Sequence, residues 1–322
     1  MEHSKSEIIN VIIPVYKPDE AFYKLIEKLL GQTVPPAHIF LLQTIEEKGE
    51  PLLEMKEDII SVHPVLKQEF DHGATRDYGA KLAKASVEEK QADERDYLLF
   101  MTQDAMPEDE RLFEQLLVPF EDEKTGISYA RQLPREGADI PERLAREHNY
   151  PAQNRIKTAA DVETMGIQTY FCSDVCAMYR RDIYEELGGF VHPTIFNEDM
   201  IMAAHEIGAG YQVAYCAAAR VIHSHAYTCM QQFHRNFDLG VSQRQYREIF
   251  DTVSSEKEGA GFAKKALLQL LKGGHPIKAF YFALQCGFKL FGYQLGKRYD
   301  RLPKSLVLKC TMSPGYVLFH QK

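Results

Sequence analysis

The sequence predicts an α/β protein: an open, mostly parallel mixed sheet flanked by helices, with a C-terminal helical basic appendage. Three observations predict it. Short apolar runs alternate with segments of helical periodicity. Polar residues follow several of those runs directly, where sheets of this kind bind ligands. The sign of the charge reverses near residue 262.

Residues 8–16 are apolar almost throughout and read as a buried parallel strand, ended by Pro14 and Lys17-Pro18. Residues 19–30 repeat Phe22, Leu25, Ile26, Leu29 and Leu30 at helical spacing and stop at Gly31. Residues 39–44 and 65–70 read as the second and third strands. Residues 74–85 read as a second helix, reached through Asp71-His72-Gly73. Residues 97–102 are a fourth strand, followed at once by Gln103-Asp104-Ala105; residues 108–120 read as a third helix and 127–132 as a fifth strand. Residues 134–165 are polar and contain Pro134, Pro141 and Pro151, the pattern of a long excursion over the active face. The turn Gly188-Gly189-Phe190 closes residues 177–187, and residues 201–208 read as a helix ended by glycine. Residues 212–215 and 219–222 are late strands, 227–246 a helix and 251–261 a polar linker. The expected division is a body over 1–250, the linker, and a tail over 262–322.

A chain of 322 residues, 45% hydrophobic, has ample material for one large core. The start, Met1-Glu2-His3-Ser4-Lys5, has no apolar stretch of the signal-peptide kind, and no apolar run is long enough to span a bilayer. Six scattered cysteines argue against a disulfide framework and for a reducing cytoplasm. Residues 262–322 carry 11 Lys or Arg and one acid, Asp300, a net of +10; residues 1–261 carry 27 basic and 45 acidic residues, a net of −18. A tail of that sign, rich in Phe, Tyr and Leu, fits the inner face of an anionic membrane better than a nucleic acid. Packing on the body or on a second subunit, as in a homodimer, is the alternative for the same helix.

Four constellations carry chemistry. Glu198-Asp199 stand where a helix begins, as an N-cap pair or as a general base beside the crevice. Asp104 follows a buried strand, placed either to cap the next helix or to hold a divalent cation on a diphosphate. His223 and His225 sit at i, i+2 on an extended segment and therefore share a face, as imidazole ligands or as buried polar residues. A zinc site built from Cys172, Cys176, His223, His225 and Cys229 lacks the paired spacing such sites use. His72-Gly73 with Arg76 one turn on suggests a helix start facing a phosphate.

The order Pro14-Val15-Tyr16, Asp104, Gly188-Gly189-Phe190, Glu198-Asp199, His223 resembles a family 2 inverting glycosyltransferase with the Rossmann-like GT-A fold, over roughly residues 8–245. His72-Gly73-Ala74-Thr75-Arg76, Ala130-Arg131-Gln132-Leu133-Pro134, Ser173-Asp174 and His223-Ser224-His225 are similar to the bacterial rhamnosyltransferases of cell-surface polysaccharide synthesis. The resemblance implies inverting transfer of a sugar, L-rhamnose from its dTDP donor, to a saccharide acceptor on a lipid carrier. It implies Asp199 as base with Glu198 beside it, and Asp104, His223 and His225 around Mg²⁺ or Mn²⁺. It implies Pro14, Tyr16, Gln43, His72, Gly73, Arg76 and Gln103 toward the nucleotide and donor. Arg131, Gln132, Ser173 and Asp174 would line the sugar or acceptor pocket. Two departures stand out. The family's Asp-x-Asp is Gln103-Asp104-Ala105 here, and the second strand ends in Gln43-Thr44 rather than in an Asp facing the base. A UDP-linked hexose donor, a nucleotidyltransferase and a non-catalytic nucleotide-sugar binder are the alternatives; the second lacks a glycine-rich basic loop near Tyr16.

Overall fold

The computed structural model describes residues 7–86, 95–225, 227–252 and 256–320. In chain order the first half runs β1 (Glu7–Val15), α1 (Glu20–Leu30), β2 (His38–Ile45), β3 (Ile60–Leu66), α2 (His72–Ser86), β4 (Arg95–Met101), β5 (Met106–Pro107), α3 (Leu112–Leu117) and β6 (Thr125–Leu133). Then come α4 (Ile140–Asn149), β7 (Arg155–Lys157), α5 (Val162–Met165), β8 (Cys176–Arg180), α6 (Arg181–Glu186), α7 (Glu198–Gly208) and β9 (Gln212–Ile222). Helices complete it: α8 (Cys229–Gln245), α9 (Arg247–Phe250), α10 (Glu256–Lys272), α11 (Pro276–Gly296), α12 (Lys304–Cys310) and α13 (Pro314–His320).

The expected α/β sheet is present. Nine strands lie in the order β3-β2-β1-β4-β8-β6-β9-β5, with β7 beside β9. The pairs β3/β2, β2/β1, β1/β4 and β6/β9 are parallel, and β8 runs antiparallel between β4 and β6. Both faces are covered, as the apolar runs require. Ile9, Val11, Ile13 and Val15 of β1 pack on α1 and α3; Ile12 packs on the opposite face with α2 and α7. The alternation is the period-two geometry of a strand.

Several elements differ from expectation. The third strand is Ile60–Leu66, not 65–70. It contains Pro64, which a sheet accepts because β3 is an edge. Residues 212–222 form one strand with a bulge between Cys216 and Arg220, where two strands were expected. The expected third helix is helical only from Leu112. Residues 134–165 are no plain loop: they hold α4, capped by Asp139 accepting from Glu142 N, and β7. Within the expected linker 251–261, residues 253–255 lie outside the described residues and 256–261 are the first turns of α10.

The C-terminal helices pack on the body through α8. Ile195, Phe233, Phe237 and Val241 form a cluster with Val307, Cys310, Tyr316 and Val317. Gly292 and Gly296 of α11 press on the backbone of Phe233 and Phe237 in α8, and Gly240 returns the contact. Among the described residues no helix is long and apolar enough to cross a membrane.

Candidate active site

The carboxylate floor is built where α2 meets α7. Buried Asp71 accepts from Ala74 N and from Thr194 N, both at 2.7 Å, and so ties the start of α2 to the loop before α7. His72 N donates to Thr194 O at 3.3 Å. A side chain at Gly73 would run into the Val191 carbonyl, so this glycine permits close packing. The loop before α7 covers this turn.

Asn197 turns the chain in the left-handed region, φ 66°, and donates to Ser242 Oγ of α8 at 3.1 Å. That turn presents Glu198 and Asp199 in the first turn of α7. Glu198 Oε1 accepts from Arg76 Nη1 at 3.0 Å, with His72 Nδ1 at 3.7 Å. Arg76 Nε stands 3.5 Å from Asp174 Oδ2, and Tyr179 OH donates to Asp174 Oδ1 at 2.6 Å. Asp199 Oδ2 accepts from Asp174 N at 3.2 Å and Oδ1 from Met200 N at 2.7 Å. Three carboxyls thus share one buried guanidinium. Burial alone would lower the pKa of Arg76, but Glu198, Asp174 and Asp199 raise it. Arg76 is thus held by the acid cluster. Burial, then the charge of Glu198, pushes Asp199 up to about 7.

The second group lies at the ends of β4 and β9. His223 Nε2 and His225 Nε2 are 2.8 Å apart, and stand 3.5 and 3.3 Å from Asp104 Oδ1 and Oδ2. Ligand atoms of the three residues all lie within 4.8 Å of one another. Ligands at adjacent corners of an octahedral Mg²⁺ shell are about 3 Å apart, so the group fits such a cation. Burial and His223 pull His225 down to about 4, which leaves its imidazole neutral for ligation at physiological pH. Behind this group, His223 Nδ1 is 2.9 Å from Gln132 Oε1, Arg146 of α4 donates to the same oxygen, and Gln132 Nε2 donates to Ser173 Oγ at 2.9 Å.

Both groups open on one cavity of ≈ 730 Å³. Gln132 of β6, Ser173 before β8, Asp199 of α7, and His223 and His225 just past β9 line it; Arg146 and Tyr150 line it from the α4 side, Arg235 from α8, and Tyr281 and Lys289 from α11. The Arg235 guanidinium lies 4.6 Å over the Phe196 ring and 5.7 Å over Tyr227. Arg131 lies apart from this cavity: neighbouring strand residues point to opposite faces, and it lines a separate cleft with Arg111 and Arg220, its Nε donating to Tyr150 O. At the strand ends, Gln103 and the Tyr16 backbone exchange hydrogen bonds of 2.6 and 3.0 Å, clasping β1 to β4. Gln43 uses both ends of its amide on Pro51 O and Leu53 N, bracing the loop beyond β2. Pro14, paired with Leu42 inside the sheet, shapes the strand end.

Arg146, Tyr150, Arg235 and buried Lys157 escaped the sequence reading. Lys157 is pulled down to about 7 by burial; its ammonium donates to Phe171 O, at the start of the segment that ends in Ser173-Asp174. Arg146 and Tyr150 were legible in principle through the Asp139 cap and the helix behind it. Arg235 and Lys157 carried no local signal.

The sequence matches the Glycosyl transferase family 2 profile over residues 10–188. It is 35% identical over 310 residues to the O-antigen chain rhamnosyltransferase RfbN of Salmonella typhimurium, covering 96% of this chain and 95% of the relative. It is 36% identical over 310 residues to the O-antigen chain rhamnosyltransferase WbaN of Salmonella anatum, covering 95% and 94%. In fold it is similar to the mannosyltransferase PcManGT from Pyrobaculum calidifontis, solved with GDP-Man and Mn²⁺, with a TM-score of 0.57 at 12% identity over 91% of this chain and 88% of that one. A mixed sheet of this order, a carboxylate floor at the start of α7 and near full-length similarity to two such enzymes agree: the chain belongs to glycosyl transferase family 2 and is a glycosyltransferase.

Proposed function

We propose that the enzyme transfers L-rhamnose, with inversion, from its dTDP donor to a hydroxyl of a saccharide carried on a lipid. The observation that carries the donor assignment is the similarity to two rhamnosyltransferases along almost the whole chain. The arrangement of the cavity supports the chemistry, because Asp199 faces the same space as His223 and His225, which stand beside Asp104. Asp104, His223 and His225 would hold a divalent cation, Mg²⁺ or Mn²⁺, which neutralises charge on the departing diphosphate. Arg235 adds a protein cation to that space. Asp199 accepts the proton of the acceptor hydroxyl, and Glu198, held by Arg76, adds the negative charge that keeps the Asp199 carboxyl basic. Gln132 and Ser173 border the acceptor side.

The tail supports a peripheral seat on an anionic membrane surface. Ile277 and Phe280 of α11 are 83% and 73% exposed, with Leu284, Leu290 and Phe291 also turned outward among lysines. The deciding experiment presents dTDP-rhamnose, UDP-glucose, UDP-galactose and GDP-mannose with Mg²⁺, Mn²⁺ or a chelator. Donor hydrolysis or transfer selective for dTDP-rhamnose and lost on chelation is expected. Selectivity for a UDP-linked hexose overturns the donor assignment, an unaffected rate under chelation overturns the metal assignment, and no turnover of any donor leaves a binding protein.

A further inference from the structure

We propose that Arg146 is a positioning residue for the metal centre: its guanidinium sets the orientation of the Gln132 amide, and that amide sets the tautomer of His223. The inference rests on the cation-binding reading of Asp104, His223 and His225.

A guanidinium carries only donors, so the Gln132 atom that Arg146 Nη1 meets is the oxygen. The same Oε1 lies 2.9 Å from His223 Nδ1, and an acceptor at that distance requires the proton on Nδ1. The lone pair of His223 is then on Nε2, which faces His225 Nε2 at 2.8 Å and Asp104 Oδ1 at 3.5 Å. Arg146 Nη2 stands 3.4 Å from Nδ1 and would donate there in the other tautomer. That tautomer would set the Nδ1 lone pair against Oε1 at the shorter distance, so the 2.9 Å contact decides. The far end of the amide is held by Ser173 Oγ at 2.9 Å, a hydroxyl that accepts or donates and so does not by itself choose the orientation. Arg146 makes the choice. Without it the amide can turn over and offer its NH₂ to Nδ1, which places the proton on Nε2 and removes a ligand.

Arg146 reaches this position on α4, which is fastened to the same segment a second time by Ser224 Oγ donating to Glu142. Ile140 and Leu144 of that helix pack against Ala266 and Leu270 of α10. The metal centre is therefore braced from the C-terminal layer through α4, by residues that touch no ligand atom of the cation.

The test is Mn²⁺ binding to the full chain, read from the paramagnetic resonance signal of free Mn²⁺, for the wild type, Arg146→Met, Gln132→Glu and the double variant. Arg146→Met is expected to weaken Mn²⁺ by about 10- to 100-fold, the usual cost of losing a partner behind a metal ligand. A carboxylate has two equivalent oxygens and no wrong way round, so in the Gln132→Glu background the same Arg146→Met change is expected to do almost nothing. Equal losses in both backgrounds, or no loss in the first, overturn the relay. A wild type that binds no Mn²⁺ overturns the cation reading instead. Should Arg146→Met fail to fold, NMR of the metal-free wild type decides: the proton of His223 is expected on Nδ1, and a proton on Nε2 sinks the proposal.

Discussion

In the proposed reaction Asp199 must be ionised to accept a proton and must bind it firmly enough to pull it from a hydroxyl. Burial and the adjacent Glu198 place its carboxyl near pH 7, where both conditions hold. Asp199→Asn keeps the size and the hydrogen bond from Met200 N, and is expected to lower turnover by about two to four orders of magnitude while nucleotide binding persists. Because the deprotonated form works, kcat/KM of the wild type should rise with pH through about 7 and level off above it. Unchanged turnover in Asp199→Asn, with loss only in Glu198→Gln, moves the base by one residue. Glu206 lies two turns further along the same helix, fully buried, with neither carboxylate oxygen hydrogen-bonded among the described residues. Burial raises its pKa well above 4.5. Below that value both native and unfolded chains are protonated; above it only the unfolded chain ionises, so stability falls as pH rises toward the folded pKa. Glu206→Met is expected to gain about 1–3 kcal/mol at pH 8, a gain that shrinks toward pH 4, measured by denaturant unfolding at both pH values. No gain at pH 8 would mean that Glu206 has a partner. Glu198, Asp199 and the two histidines were legible because adjacent acids at a helix start and His-x-His on a strand are local patterns. Arg76 was legible as a residue and not as a partner: its ion pairs join α2 to α7 and to Asp174, across some hundred residues of chain.

At the scale of elements, legibility followed the length of the apolar run. β1, β2 and β4 are long and buried, and periodicity alone locates them. β8 is five residues long, and Cys-Ala-Met-Tyr-Arg reads equally well as one turn of helix, so the antiparallel centre of the sheet was invisible. β3 slipped because Pro64 argues against a strand unless its edge position is known. The α8–α11 contact was also hidden, since Gly292 and Gly296 look like helix breakers until a second backbone lies against them. Gly296→Leu should force those backbones apart, costing at least about 1–3 kcal/mol and lowering the melting temperature by several degrees. The same change at Gly287, where a side chain would meet nothing, should be nearly neutral. Equal effects at the two positions would show that the helices do not rely on close approach.

For the molecule as a whole, the reversal from −18 to +10 was plain in the sequence, while the integration of the basic part was not. Of the two expected seats for the tail, a membrane surface or the body, α11 and α12 share a core with α8, so deleting residues from 262 onward would bare Phe233 and Phe237. Membrane binding is therefore better tested on the intact fold. Ile277→Glu with Phe280→Glu should abolish sedimentation with anionic liposomes at low salt and leave nucleotide binding intact. Sedimentation that persists, or a wild-type dimer that the pair of substitutions dissociates, assigns the face to another surface or to a second copy of the chain.

The return of α13 to the body has a consequence for how the enzyme is made. Tyr316 OH donates to Pro193 O at 3.2 Å, and Val317 packs beside Ile195 on the loop that leads to the carboxylate pair. A ribosome delivers the sheet first and this helix after it, at about 5–20 residues per second. Until residues 314–320 have emerged, the loop that presents Glu198 and Asp199 lacks one of its walls. Nascent chains stalled before Pro314 should therefore hold a formed sheet and an unfinished carboxylate loop, so that the proposed site is completed after the sheet that carries it.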